Sequence, residues 1–93
     1  MLGLNNELVR NKDVILKSLN GKYWAFNTST GAQYNISELS YFILEQLTEP
    51  DSIEHVVAKI CEQYSVTEET ALEDCKAFLS YCLKKAIIIK NKS

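Results

Sequence analysis

The apolar residues change their rhythm near residue 37. Before it they come in short runs rich in β-branched and aromatic side chains, and after it they recur at three- and four-residue intervals. Val14 to Leu19 and Lys22 to Asn27 flank Asn20-Gly21, a dipeptide that readily supplies the two positive φ angles of a type I′ turn, so the two runs form a β-hairpin. The turn formers Thr28-Ser29-Thr30-Gly31 lead into a third short strand, Ala32 to Ile36. The pattern predicts a three-stranded antiparallel meander whose last strand is a sheet edge. Glu7 to Arg10 reads either as a further short strand or as a flexible arm.

Three helices follow. Ser37 suits the N-cap of a helix running to about Thr48, with Leu39, Phe42, Ile43 and Leu47 on one face, and Glu49-Pro50 stops it. Asp51 is placed to cap the next helix, with Glu54 three residues on as in a capping box, and Ile53, Val56, Val57, Ile60 and Tyr64 make a regular apolar stripe. Thr67 caps the third helix, Glu68 and Glu69 favour its positive N-terminal end, and Val66 and Ala71 have the spacing of a hydrophobic staple. This helix carries two stripes about 100° apart: Ala71, Cys75, Phe78 and Cys82 on one, Leu72, Lys76, Leu79 and Leu83 on the other. One stripe is expected to pack on the first two helices and the other to look toward the sheet. Ile87 to Ile89 is an apolar plug before a polar tail. The order βββααα implies an α+β fold, a three-stranded antiparallel sheet packed on a three-helix bundle.

Composition narrows what such a domain can do. Ninety-three residues suit one domain, and a net charge of −2 with interspersed signs advertises no surface for nucleic acid. The N-terminal residues show no basic or apolar leader and nothing later is long enough to span a membrane, which points to the cytoplasm. Cys61, Cys75 and Cys82 lack metal-ligand spacing and read as small core residues. The single histidine, His55, is rotated about 200° from the Ile53 stripe and reads as a solvated surface imidazole. Glu68, Glu69, Glu73 and Asp74 are explained by the helix start and a solvated face. Tyr23, Trp24, Phe26 and Tyr34 read as cross-strand core packing rather than a base-stacking surface, because basic residues are not interleaved with them. Neither a catalytic group, a cofactor nor a metal is expected. The feature that remains is the edge strand Ala32 to Ile36, which holds no proline and no charge to discourage pairing with a partner strand.

Tyr34-Asn35-Ile36-Ser37 leading into an apolar helix, the Thr30-Gly31 turn, the Ile53 to Tyr64 helix, and Asp74-Cys75 followed by Phe78-Leu79 and Ile87-Ile88 together resemble the PqqD-like proteins, the peptide-recognition elements of ribosomal-peptide natural-product pathways. The resemblance runs from about Asp13 to Ile89, within a single domain over residues 1–93 with flexible termini, and departs from the family at Ala86, where a glycine often ends the last helix. It implies a winged-helix-like fold that binds the leader of a precursor peptide as an added strand. Ala32, Gln33, Tyr34, Asn35 and Ile36 would pair with the leader, while Leu72, Lys76, Leu79 and Leu83 would line the opposite wall of the cleft. It further implies delivery to a separate maturation enzyme, such as a radical-SAM protein or a leader protease.

The rival reading is a winged-helix DNA-binding regulator. The third helix opens Thr67-Glu68-Glu69-Thr70-Ala71-Leu72-Glu73-Asp74, which would turn negative charge toward phosphates.

Overall fold

Asn20 and Gly21 take φ angles of 51° and 76°, the left-handed pair that a two-residue hairpin turn needs. Around them the computed structural model, which describes residues 6–91, builds the expected hairpin. The stretch 1–5, where no targeting leader was expected, and residues 92–93 lie outside the described residues. β2 (Val14–Leu19) and β3 (Lys22–Asn27) pair from Leu19↔Lys22 to Val14↔Asn27, and β4 (Gln33–Ile36) pairs with β3 from Phe26↔Gln33 to Tyr23↔Ile36. Glu7 to Arg10 is a strand, β1 (Glu7–Arg10). It lies at the centre of a second small sheet between β5 (Asp51–Ser52) and β6 (Ile88–Lys90), the latter formed where the sequence predicts only an apolar plug. Arg10 ties this sheet to the helices, its backbone N–H donating to the Leu47 carbonyl and its guanidinium to the Leu44 carbonyl.

The helices are α1 (Glu38–Gln46), α2 (Ile53–Gln63) and α3 (Glu68–Lys84). Ser37 and Thr67 cap α1 and α3 as expected, but Ser52 rather than Asp51 caps α2: its hydroxyl accepts from the His55 backbone N–H. Asp51 is held one residue earlier, in β5, and its carboxylate instead accepts from the Ser52 N–H and the His55 ring. α3 ends in a Schellman motif, with Ala86 N–H donating to Leu83 O and Ile87 N–H to Cys82 O. Ala86 sits at φ 59°, a left-handed angle that glycine adopts without strain.

The core joins all three helices to both sheets. Leu8, Val14, Ala25, Ile43, Leu44, Leu47, Ile53, Val56, Val57, Ile60, Ala71, Cys75, Leu79, Cys82, Ile87 and Ile88 are buried. Burial pushes the thiols of both Cys75 and Cys82 up to about 12, so neither is a nucleophile at neutral pH. Among the described residues no helix is long and apolar enough to cross a membrane.

Candidate functional site

The position of β4 follows from the turn before it and the helix after it. The Asn27 side chain, itself buried, accepts from the backbone N–H groups of Ser29 and Thr30, and Gly31 at φ 81° donates to the Asn27 carbonyl. These bonds reverse the chain within four residues. At the other end Ile36 is followed directly by Ser37, whose hydroxyl accepts from Ser40 N–H to start α1. The edge strand is therefore pinned at both ends and free along one side.

Pairing parity assigns its backbone groups. Asn27 N–H donates to Ala32 O at 2.8 Å, which makes Asn27↔Ala32 a hydrogen-bonded pair. Stepping by two along the register makes Ala25↔Tyr34 and Tyr23↔Ile36 hydrogen-bonded as well. The C=O of Ala32 and the N–H and C=O of Tyr34 and Ile36 thus point to β3, the Ala32 N–H donates to the Thr30 hydroxyl, and the N–H and C=O of Gln33 and Asn35 point to the open edge. The side chains alternate at right angles to this. Tyr34 and Ile36 pack against the core, whereas Gln33 and Asn35 are exposed on the face away from the helices.

One ring contact joins β4 to α3. Tyr34 meets Tyr81 edge to face, centroids 6.5 Å apart, and the Lys85 ammonium lies 5.8 Å from the Tyr81 ring centroid. Tyr81 is 44% exposed. At about 100° per residue, the stripe of α3 on this side runs through Asp74, Phe78, Tyr81 and Lys85. The stripe named from the sequence lies elsewhere. Leu79 is fully buried and belongs to the core line with Ala71, Cys75 and Cys82, displacing the half-buried Phe78. Leu72, Lys76 and Leu83 fall about 140–180° around the helix from Tyr81, on the opposite flank of that core line. The reason is angular: with Leu79 midway between the two stripes, the core line takes it and turns the aromatic flank toward β4. A helical wheel that counted aromatic as well as aliphatic positions would have drawn attention to Tyr81.

The aromatic residues of β3 also divide by face. Tyr23 is on the helix side, its ring 5.0 Å from that of Tyr41 in α1. Trp24 and Phe26 lie on the outer face, half buried, and not in the core that the sequence pattern predicts for them. His55 is on the surface, but it is not free: its Nδ1 is 2.8 Å from Asp51 Oδ1, far from β4 in the α2–β5 corner. Among the described residues no three His, Cys, Asp or Glu side chains converge to hold a metal ion.

A family model described as Coenzyme PQQ synthesis protein D (PqqD) matches residues 14–88. No curated protein matches the chain. Two solved structures share its fold. One is TbiB1 in complex with the TbiA(beta) leader peptide, 21% identical with a TM-score of 0.77 over 91% of this chain and 99% of that one. The other is lasso peptide synthetase B1 complexed with the leader peptide, 12% identical with a TM-score of 0.74 over 88% and 96% of the two chains.

Proposed function

The chain belongs to the PqqD family, and from that premise we propose that it is a recognition domain rather than an enzyme and binds the leader segment of a ribosomally synthesised precursor peptide as a fourth strand on β4. The observation that carries this reading is the uncovered edge of β4, where Gln33 and Asn35 offer two backbone donor and acceptor pairs with no proline or charge in the strand. Both solved structures of similar fold are of proteins in complex with leader peptides, which supports the same use of the fold here.

Main-chain pairing supplies affinity that tolerates sequence variation. Selection comes from the leader side chains that alternate into the cleft, where Tyr34, Phe78 and Tyr81 offer apolar and aromatic surface and Lys85 a positive end. Holding the leader raises the effective concentration of the attached core segment at a separate cytoplasmic maturation enzyme, a radical-SAM protein or a leader protease, so that a weak encounter becomes nearly intramolecular.

Proline substitution tests the pairing. Gln33→Pro and Asn35→Pro each delete a donor that faces the open edge. Both variants should fold, because edge strands tolerate proline there, and should bind the cognate leader peptide more weakly by at least about 1 kcal/mol. Tyr34→Pro and Ile36→Pro delete donors to β3 and should unfold the domain. Circular dichroism and calorimetric titration read the two effects. Folded Gln33→Pro and Asn35→Pro variants that bind like the parent would disprove strand addition at β4.

A further inference from the structure

On the outer face of the meander, cross-strand pairing sets side chains in two rows, Lys17–Trp24–Asn35 and Ile15–Phe26–Gln33. Between them lies a depression of about 250 Å3 lined by Lys17, Trp24, Phe26 and Gln33. Its walls are two aromatic rings, and the Lys17 ammonium stands 5.9 Å from the Phe26 ring centroid. The ion pairs formed among the described residues join Asp51 to His55 and to Lys59, so Lys17 has no carboxylate partner there.

Gln33 belongs both to this depression and to the open edge. Directly opposed residues of adjacent strands project to the same face. A strand added to β4 therefore places the side chain paired with Gln33 on the outer face, about 10 Å or two strand spacings from the Phe26 row position. A side chain of four or five bonds reaching across Gln33, met by the long Lys17 stem, closes that distance. The chemistry of the walls then selects the occupant: an aliphatic stem lies against Trp24 and Phe26, and a carboxylate satisfies the ammonium. The neighbouring depression beside Asn35, about 510 Å3, contains both Lys22 and Glu38 and selects neither sign of charge.

We propose that the depression lined by Lys17, Trp24, Phe26 and Gln33 is an outer-face subsite that takes an acidic side chain, glutamate above all, from the peptide residue paired with Gln33. Lys17 and Trp24 are then specificity determinants on the side of the sheet away from the α3 cleft. The inference rests on strand addition at β4, and its test separates the two.

Phage-displayed random dodecapeptides are selected against the parent protein, Lys17→Glu and Asn35→Pro. Lys17 is exposed, and circular dichroism confirms that its variant is folded. Peptides selected on the parent should share an acidic residue at one position, and those selected on Lys17→Glu should carry Lys or Arg there. A synthetic parent-selected peptide should bind Lys17→Glu roughly three- to ten-fold more weakly, and reversing the peptide charge should restore binding. Trp24, the sole tryptophan, should change emission on binding that peptide and change less with its acidic residue replaced by alanine. Peptides that fail on Asn35→Pro yet show no acidic position, or keep it on Lys17→Glu, overturn the subsite and leave strand addition standing. Peptides that bind Asn35→Pro as well as the parent, or an empty selection, overturn both.

Discussion

Between α2 and α3 the side chains close on one another. Ile53, Val56, Val57 and Ile60 on one helix and Ala71, Cys75, Leu79 and Cys82 on the other are all buried. Across the meander the opposite holds. Ile15 and Leu19 are 40% and 63% exposed, Trp24 and Phe26 are covered only in part, and β4 leaves every second backbone pair without a strand beside it. The helical layer spends its apolar surface on the fold, whereas the meander keeps some in reserve at an edge already held in place by the Asn27 turn and the Ser37 cap. Changes in the two regions should accordingly move different observables, folding free energy in one and peptide affinity in the other.

Leu79 gives the sharpest test, because the resemblance placed it in the cleft and the structure places it in the core. Leu79→Ala should lower the folding free energy by about 3 kcal/mol, measured by urea denaturation, through lost burial and the cavity it leaves. The folded fraction should bind peptide as the parent does. A variant with unchanged stability and weakened binding would return Leu79 to the binding surface and erase the distinction between the regions.

Proline at Gln33 or Asn35 is the converse case, moving affinity by about 1 kcal/mol or more while leaving the fold in place. Ala86 offers a smaller effect on the fold side alone. Its φ of 59° is a left-handed conformation that disfavours an L side chain by roughly 1–2 kcal/mol, partly offset by the greater freedom of glycine in the unfolded chain. Ala86→Gly should stabilise the domain by about 0.5–1 kcal/mol, seen as a rise of a few degrees in Tm, with no change in peptide binding.

Much of this was legible before the structure. The Asn20-Gly21 turn, the hairpin boundaries, the caps Ser37 and Thr67, and the edge position of β4 all follow from local chemistry that depends on a few neighbouring residues. What was not legible depends on pairing at long range or on small angles. β1 needs partners from residues 51–52 and 88–90, far away in the chain, so four residues alone did not distinguish a strand from an arm. Leu79 lies between two helical stripes, and only packing decides which one takes it. Strand alternation separated Tyr23 from Trp24 and Phe26, but the side that meets the helices is set by Ala25, which is fully buried and carries no aromatic signal. The outward parity of Gln33 and Asn35 required one observed bond, Asn27 to Ala32.

The smallest effect belongs to the rim of the closed region, where Asp51, placed in the sequence to cap α2, instead joins β5 to α2. Burial works to raise its pKa, but hydrogen bonds from the His55 side chain and the Ser52 N–H, with the charges of His55 and Lys59, together outweigh burial and hold it below the usual 3.8. A carboxyl with a depressed folded-state pKa contributes stability above its unfolded value and loses it as the pH falls through the folded one. The parent should therefore be more stable than Asp51→Asn from about pH 5 to 7, by about 0.5 kcal/mol since His55 is 60% exposed and screened by solvent. That advantage should disappear progressively below pH 3.8, as the native carboxylate takes up its proton. Peptide binding at neutral pH should be equal in the two proteins, because the Asp51 corner lies in the second sheet and β4 in the first. Denaturation curves at pH 3 and pH 6 measure the difference. A gap that widened toward acid would mean that the protonated form of Asp51 is the one the fold prefers, which would remove the corner from the closed region's polar rim.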